Sequence, residues 1–403
     1  MKILLVSQDN SEKLNIGGKH IHQNLLIAAW RKQGHEVRTI FPRPQKITMP
    51  IWTRIIFRIS RTWSTFPVFF FKKYLRKIKN ELIHNLHQSM TDFSPDLISA
   101  QDPMAAVACS AALQPHKGAL PRIALTLHGY YTWEMINYGY YGEHNKPTIE
   151  KIGFELEREA LEKANSVITV DSRIRDYLQT QHGFTEPVDV IFNAINIEPF
   201  QQPINQEVMH LQKRLAPNGE KIILIARRLV LKNGVHVAIS AIALLIPLKK
   251  NIRLIVVGDG PESFNLQSQA KTLGIESYID FIGNIDHSDI HNYYRAADIL
   301  LMPSIPSDGI EEATSLSMLE GMAAGKLVIC SAIGGMKEII IHKKNGYLVK
   351  SNNPQNLSEL LNDLLETPPD QLDEVCTQAR QFAFDNHDYN SHARKILSKM
   401  SQN

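Results

Sequence analysis

The chain is 403 residues long, with 43% hydrophobic and 21% charged residues, a composition typical of a folded protein of two or three domains. It excludes a disordered or collagen-like chain. Cys109, Cys330 and Cys376 form no CxxC pair and no Cys/His cluster, so neither a disulfide framework nor a structural zinc is expected. The start lacks the apolar length of a signal peptide and no apolar run reaches ~20 residues, so we predict a cytoplasmic protein that does not span a membrane.

The formal net charge of +3 conceals an uneven distribution. Residues 1–100 hold 16 Lys and Arg against 6 Asp and Glu, and most of the excess lies between Arg43 and Lys79. Mixed with aromatic residues, these cations suit an anionic membrane surface or an anionic acceptor. We assign six of them to that side: Arg54, Arg58, Arg61, Lys72, Lys73 and Arg76. The alternative is an ordinary helix with solvated cations and a core stripe at helical spacing, made of Phe71, Leu75, Ile78 and Leu82.

The first half of the chain opens with a strand, a helix and a strand. Lys2–Ser7 is predicted as a buried strand, Gly17-Gly18 as a loop, His20–Gln33 as a helix that stops before Gly34, and Glu36–Ile40 as a strand. Helix-length segments such as Ile152–Lys163 separate further β-branched runs. These predicted strands are Leu97–Ala100, Ile123–Leu127, Val167–Val170 and Val188–Phe192. The alternation predicts a parallel sheet covered by helices.

The second half repeats the pattern after a polar stretch. That stretch, 201–220, is predicted as a linker between a domain of residues 1–200 and one of residues 221–384. The predicted strands are Ile222–Ala226, Arg253–Val257, Ile279–Ile282, Ile299–Met302 and Leu327–Cys330. The predicted helices are Val235–Leu245, Glu262–Leu273, Ser288–Ala296, Ser315–Ala324 and Met336–Ile340. Two doubly wound α/β domains would enclose a cleft, with ligands outside the carboxyl ends of the strands.

Several motifs, in a fixed order along the chain, carry a family resemblance. Glu312 and Glu320 lie eight residues apart, and Ser331-Ala-Ile-Gly334-Gly335-Met-Lys-Glu338 follows them. Other motifs are Gly34-His35-Glu36-Val37, Thr126-Leu127-His128-Gly129, Arg227-Arg228-Leu229-Val230 and Gly258-Asp259-Gly260-Pro261. Together they resemble glycosyltransferase family 4. The resemblance implies the GT-B fold, two Rossmann-like domains facing each other across a cleft, with a C-terminal tail of about residues 385–403 packed back on the first domain. It also implies a retaining enzyme that uses a nucleoside diphosphate sugar.

The helix after Glu312 has the chemistry of a phosphate site. Backbone N–H groups at a helix start are unpaired and lie at the positive end of the helix dipole, so they can bind a phosphate. Here these groups belong to Thr314, Ser315 and Leu316. Eight residues are a little over two helical turns, so Glu312 and Glu320 lie roughly on one side. The resemblance implies that Glu320 accepts hydrogen bonds from the ribose and that Glu312 faces the hydroxyls of the donor sugar. The alternative is a helix cap and a solvated glutamate.

Cations are needed where the sugar leaves the diphosphate, because negative charge builds up there. Arg228 and Lys232 follow a buried strand and match that need. The resemblance implies that this pair contacts the diphosphate, although the family lysine often stands at the place of Asn233, and Arg227 is a competitor. The chain has no Asp-x-Asp motif, so we expect no metal requirement and no cofactor besides the sugar nucleotide.

Four further residues complete the predicted site. His128 follows a strand of the first domain, and the resemblance implies contact with the donor sugar; the alternative is a structural histidine. Gly17 and Gly18 would let the backbone approach phosphate or sugar closely, or would only form a tight turn. Near Ile282 the family holds the nucleotide base largely through backbone atoms, so the side chains do not specify the base.

We therefore predict a retaining glycosyltransferase that moves a hexose-type sugar to an acceptor held by the first domain. The resemblance implies that the leaving phosphate assists deprotonation of the acceptor, while Arg228 and Lys232 stabilise the negative charge on that phosphate. The basic segment favours a glycolipid, a lipid-linked precursor of a cell-envelope glycan or an anionic acceptor, with peripheral contact at the inner face of a membrane. No nucleic acid partner is expected. The alternatives are a disaccharide phosphorylase of the same fold and a catalytically idle sugar-binding or coat protein.

Overall fold

The computed structural model describes residues 1–11, 17–42, 66–113, 120–138, 143–248, 250–286, 288–307 and 311–401. The chain divides into two compact units. Unit 1 comprises Met1–Phe192 and Asn390–Asn403, and unit 2 comprises Asn193–Tyr389. Each unit is built on a six-stranded parallel sheet flanked by helices.

Unit 1 contains strands β1 (Lys2–Val6), β2 (Glu36–Ile40), β3 (Leu97–Ala100), β4 (Arg122–Leu127), β5 (Ser166–Thr169) and β6 (Val188–Val190). Its helices are α1 (Gly18–Lys32), α2 (Phe66–Met90), α3 (Pro103–Leu113), α4 (Tyr131–Tyr138), α5 (Lys146–Lys163) and α6 (Ser172–His182). The sheet order is β2-β1-β3-β4-β5-β6. Central strands of such a sheet are covered on both faces, which is why β1 is a continuous apolar run. The order reverses between β1 and β3.

Unit 2 contains β7 (Lys221–Ala226), β8 (Ile252–Val257), β9 (Ile279–Gly283), β10 (Ile299–Met302), β11 (Leu327–Ser331) and β12 (Tyr347–Val349). Its helices are α7 (Glu198–Gln201), α8 (Gln206–Leu215), α9 (Val235–Leu245), α10 (Ser263–Thr272), α11 (Ile290–Ala296), α12 (Leu316–Ala323), α13 (Met336–Ile339), α14 (Pro354–Glu366) and α15 (Pro369–Asn386). The sheet order is β12-β11-β10-β7-β8-β9, which reverses between β7 and β10. Ligands of doubly wound sheets bind at such a reversal, outside the carboxyl ends of the strands.

Local sequence signals begin and end several of these helices. The Asp171 carboxylate accepts a hydrogen bond from the Ile174 N–H at the start of α6, and Gly183 ends that helix with φ 63°. Asp102 begins α3 in the same way, accepting from the Ala105 N–H at 2.9 Å. Side chains that satisfy the free N–H groups of a first turn stabilise a helix by about 1 kcal/mol.

The predicted alternation of strands and helices is confirmed in both units. Glu36–Ile40, Leu97–Ala100, Val235–Leu245 and Ile299–Met302 match residue for residue. The predicted linker is not a linker: residues 201–220 lie within unit 2 and contain α8, and the chain passes from unit 1 to unit 2 at residues 192–193. The stretch looks polar in sequence because only one stripe of α8 is apolar, formed by Val208, Leu211 and Leu215, which are buried.

The C-terminal residues belong to the first unit. Helix α16 (Tyr389–Ser401) spans this end of the chain, and Ala393, Ile396 and Met400 are fully buried in it. The Trp30 indole N–H donates to the Ala393 carbonyl at 3.1 Å, and the Lys399 ammonium lies 2.8 Å from the Asp189 carboxylate. Residues 390–403 therefore complete the core of unit 1.

Helix α2 has one buried and one exposed face. Phe71, Leu75, Ile78 and Leu82 are buried, as the helical alternative predicted. Lys72, Lys73 and Arg76 are exposed, next to Phe69, whose side chain is 61% accessible. Arg54, Arg58 and Arg61 lie outside the described residues. None of the helices in the described ranges has both the length and the apolar character needed to cross a bilayer.

Candidate active site

The carboxyl ends of the unit 2 strands meet the start of α12. Thr314 and Ser315 are buried just before this helix, and Ser315, at the N-cap position, makes no side-chain capping hydrogen bond. A glycine loop after β11 holds the segment: the Gly335 N–H donates to the Glu312 carbonyl at 3.1 Å, and the Gly334 N–H donates to the Glu311 carboxylate at 2.8 Å. A Cβ on Gly335 would lie 3.0 Å from the Thr314 nitrogen, so a larger residue there would have to push the segment aside. The sequence-predicted phosphate site is thus held by backbone contacts on a second loop.

Glu312 lies between two cations. Its Oε1 is 3.2 Å from Arg227 Nη2, and its Oε2 is 4.0 Å from Lys232 Nζ. The Glu312 side chain is 19% exposed. Three residues that the sequence placed in the site therefore do come together: Arg227, Lys232 and Glu312.

Arg228 and Asn233 differ in their surroundings. Arg228 is exposed, whereas Asn233 is buried and its side-chain amide donates to the Arg228 carbonyl at 2.6 Å. Gly234 follows with φ 67°, and a Cβ there would lie 1.8 Å from the Pro303 carbonyl oxygen. Asn233 thus supports the turn after β7, and the positively charged side chain of this turn belongs to the preceding residue, Lys232.

Glu320, on α12, is a perturbed carboxyl. Burial raises its pKa to about 7, and a hydrogen bond with the Tyr294 hydroxyl opposes that rise. The Ser317 hydroxyl, from the same helix, donates to the Ala226 carbonyl at the end of β7 at 2.7 Å. A perturbed carboxyl at the reversal point of a doubly wound sheet is a candidate ligand-binding group.

Ile282 lies on β9, at the edge of the sheet, and is half-buried. The adjoining Gly283 has φ 80°, and its carbonyl accepts from the Gly258 N–H at 2.7 Å. Recognition of the base by backbone atoms near Ile282 stays a prediction.

In unit 1, His128 follows β4 and pairs with a residue that follows β3. Its Nε2 lies 3.0 Å from the Gln101 side-chain oxygen, and its ring meets the His22 ring edge-on at 4.8 Å. Burial, together with nearby His22 and Lys19, holds the pKa of His128 well below its usual range. A neutral imidazole at this position can donate or accept a hydrogen bond without carrying charge.

An ion cluster that sequence reasoning missed lies at the reversal between β1 and β3. Lys19 Nζ is 2.8 Å from Asp9 and 3.1 Å from Asp102, and Asp102 also accepts from the Ser7 hydroxyl. Burial opposes the charge on Lys19, but Asp102 and Asp9 outweigh it and raise the Lys19 pKa. The available signal was position, because both aspartates closely follow a predicted strand.

Gly17 and Gly18 lie beside that cluster in sequence. Gly17 precedes α1 with φ 92°, both glycines are exposed, and a Cβ on Gly17 would meet nothing within 4 Å. The conformation, not crowding, requires glycine at position 17. Within the part of the chain that the structure describes, no group of three or more His, Cys, Asp or Glu side chains is arranged to hold a metal ion. Metal independence stays a prediction.

Two protein families match this chain. Residues 209–382 match glycosyl transferases group 1, and residues 16–199 match Glycosyltransferase Family 4. An uncharacterized glycosyltransferase of Methanocaldococcus jannaschii is 29% identical over 197 residues, 48% of each chain. The alpha-monoglucosyldiacylglycerol synthase of Streptococcus pneumoniae is 29% identical over 227 residues, 55% of this chain and 49% of its own. The chain spans about half the length of the curated relatives it matches.

Solved structures share the fold. HepE of Anabaena, in complex with UDP, matches with a TM-score of 0.73 and 20% identity over 100% of both chains. A glycosyltransferase of Rickettsia africae matches with a TM-score of 0.70 and 20% identity over 99% of this chain and 97% of its own. These likenesses, with the two parallel sheets, confirm the predicted GT-B fold class.

Proposed function

Because this chain belongs to the family 4, group 1 glycosyltransferases, we propose that it transfers a sugar from a nucleoside diphosphate sugar to an acceptor. The observation that carries the proposal is the cluster at the sheet reversal of unit 2. There the start of α12 and the perturbed Glu320 carboxyl lie on one helix, and Arg227 and Lys232 lie beside Glu312 after the end of β7.

Unit 2 is proposed to hold the nucleotide. The diphosphate contacts the α12 start at Thr314, Ser315 and Leu316, where the helix dipole favours anions. Arg228, exposed, and Lys232 compensate the charge that develops on the leaving diphosphate. In this proposal these two cations do the work for which other transferases use a divalent metal.

The remaining site residues take roles on the two sugars of the donor. Glu320 accepts hydrogen bonds from the ribose hydroxyls, Glu312 faces the hydroxyls of the transferred sugar, and the base lies near Ile282. On unit 1, His128 contacts the transferred sugar through its neutral ring, and Gly17 and Gly18 allow a close backbone approach. Transfer is proposed to be retaining, with the leaving phosphate assisting deprotonation of the acceptor.

The names of relatives and neighbours suggest which substrates to try first. HepE was solved with UDP and with UDP-glucose. Relatives include the monoglucosyldiacylglycerol synthase and a lipopolysaccharide 1,2-N-acetylglucosaminetransferase of Salmonella typhimurium, 25% identical over 221 residues, 53% of this chain and 56% of its own. We therefore propose a hexose-type donor, with uracil as the first base to test, and a glycolipid or other cell-envelope acceptor. The cytoplasmic location at the inner membrane face stays a prediction.

The test is thermal stability of the purified protein with UDP, GDP, ADP, dTDP or inorganic phosphate. A ligand at about 100 times its Kd adds roughly 2.7 kcal/mol of stability. We expect one nucleotide to raise the melting temperature, and Glu320→Ala to remove most of that rise. Stabilisation by phosphate alone would favour a disaccharide phosphorylase, and stabilisation by free sugars alone would favour an idle sugar-binding protein; either result contradicts the proposal.

A further inference from the structure

The two adjacent arginines after β7 have opposite surroundings. Arg228 is exposed, whereas the Arg227 side chain is only 6% exposed. Both follow the same buried strand, and either could have been the diphosphate cation on sequence grounds. Burial makes the Arg227 guanidinium less accessible to a ligand than its exposed neighbour, and its ion pair ties it to Glu312.

Arg227 joins the ends of two strands and the loop before α12. Its Nη1 donates to the Ser304 hydroxyl at 2.6 Å, beyond the end of β10, and its Nη2 lies 3.2 Å from Glu312 Oε1. Ser304 is itself fully buried, and its carbonyl accepts from the Ser351 hydroxyl, beyond the end of β12, at 2.9 Å. The planar guanidinium fixes the direction of each contact, so Glu312 has one defined orientation relative to β7 and β10.

Glu312 keeps one carboxylate oxygen away from Arg227. That oxygen, Oε2, lies 4.0 Å from Lys232 Nζ and is buried, while the side chain as a whole is 19% exposed. A carboxylate accepts hydrogen bonds only, so its natural ligands are hydroxyl or N–H donors. We propose that Arg227 is a positioning residue, not a diphosphate ligand: it aims Glu312 at donor-sugar hydroxyls and so lets the site distinguish a sugar nucleotide from the bare nucleotide. This inference rests on the proposed glycosyltransferase function.

The experiment compares the binding of a nucleotide and its sugar conjugate by calorimetry, with UDP and UDP-glucose as the first pair. If another nucleoside diphosphate stabilises the wild-type protein, that nucleotide and its glucose conjugate are used. Arg227→Gln should leave the Kd for the nucleotide within about threefold of the wild-type value. It should raise the Kd for the sugar nucleotide about tenfold or more, because Glu312, the carboxylate proposed to bind the sugar, loses a charge-assisted contact. Arg228→Gln, the matched control, should weaken both ligands by the same factor.

Two further variants separate positioning from passive packing. Arg227→Lys keeps the charge but not the planar fork that orients Glu312, so it should recover only part of the lost selectivity. Adding Arg227→Gln to Glu312→Gln should cost no further selectivity, because both changes act through one carboxylate. In turnover with the same donor, Arg227→Gln should raise KM for the sugar nucleotide and lower kcat.

Two results would overturn the assignment. An equal loss of nucleotide and sugar nucleotide in Arg227→Gln would make Arg227 a diphosphate ligand, and no change in either would make it a packing residue. If Arg227→Gln does not fold, Ser304→Ala removes one of the two guanidinium contacts, and the absence of a selective loss there would equally overturn the assignment. Failure of the wild-type protein to bind any nucleotide would refute the proposed function and this inference together, which distinguishes that case from failure of the variants alone.

Discussion

At the scale of single residues, position after a strand end decides which side chains are buried and which are exposed. Arg227 and Arg228 are chemically identical and adjacent, yet one is buried on Glu312 and the other faces solvent. Lys232 is drawn toward Glu312 while Asn233 hydrogen-bonds the backbone. Successive residues point in different directions after a strand ends, so the turn conformation decides which of these side chains contacts Glu312 and which faces solvent.

Glu320 leads to a pH prediction. Its pKa of about 7 lies above that of an ordinary glutamate, so in the folded protein it keeps a proton that the unfolded chain has already released. Between those two values unfolding releases a proton, and stability contributed by this group falls as pH rises. In the proposed function the ribose hydroxyls would donate to the ionised form, so nucleotide affinity should rise about tenfold between pH 5.5 and 7.5.

The control for that prediction is Glu320→Gln, which cannot titrate. Phosphate ionisation of the ligand is common to both proteins, so the ratio of their dissociation constants isolates the carboxyl. Measured by calorimetry with the stabilising nucleotide, this ratio should change between about pH 5.5 and 7.5 by most of the roughly tenfold expected for the wild-type affinity. A ratio independent of pH would mean that Glu320 does not change its protonation state on binding.

At the scale of elements, α2 has two faces, one buried and one exposed and cationic. Its buried stripe packs into unit 1, while Phe69, Lys72, Lys73 and Arg76 share the opposite face at i, i+3, i+4 and i+7 spacing. The core interpretation of the stripe is therefore correct, and it leaves the cationic face available for an anionic partner. Contact with a membrane remains the prediction that this face supports.

Sedimentation with phosphatidylglycerol-containing vesicles tests the cationic face. Each cation near an anionic surface contributes about 1 kcal/mol. Replacing Lys72, Lys73 and Arg76 by Gln should therefore reduce binding by about 100-fold, and added salt should weaken wild-type binding. The matched control replaces three exposed cations of unit 2, Lys213, Arg214 and Lys271, and should bind nearly as the wild type does. Equal loss in both triple variants would mean that only net charge matters.

At the scale of the whole molecule, each unit draws on residues far apart in sequence. Unit 1 is closed by residues 390–403, and unit 2 begins at Asn193, before the polar stretch that the sequence suggested as a boundary. Fully buried Ala393, Ile396 and Met400 make the C-terminal helix part of the core of unit 1. Composition alone marks such a segment poorly, because only one side of the helix is apolar.

Deleting residues 390–403 should therefore unfold unit 1. Removing a buried Ile or Met costs about 1.5 to 3 kcal/mol each, and the Trp30 indole would also lose its hydrogen-bond acceptor. The combined loss is comparable with the whole free energy of unfolding of a domain. Circular dichroism melting should show loss of a folded fraction. The control is Lys399→Ala, which removes only the ion pair with Asp189, about one-third exposed, and should cost about 1 kcal/mol or less. A deletion that melts like the wild type would contradict this assignment.

The sequence by itself determined the alternation of strands and helices, the pairing of two α/β domains and the family, because these depend on local periodicity and on motifs read in order. It also located the α12 start, Glu312 and Glu320. Only the tertiary structure decided that Arg227 is buried on Glu312, that Lys19 joins Asp9 and Asp102, and that Glu320 is perturbed by burial. Those properties depend on which strand ends become neighbours, and a parallel sheet brings together residues that are more than ninety positions apart in sequence, such as Ser7 and Asp102.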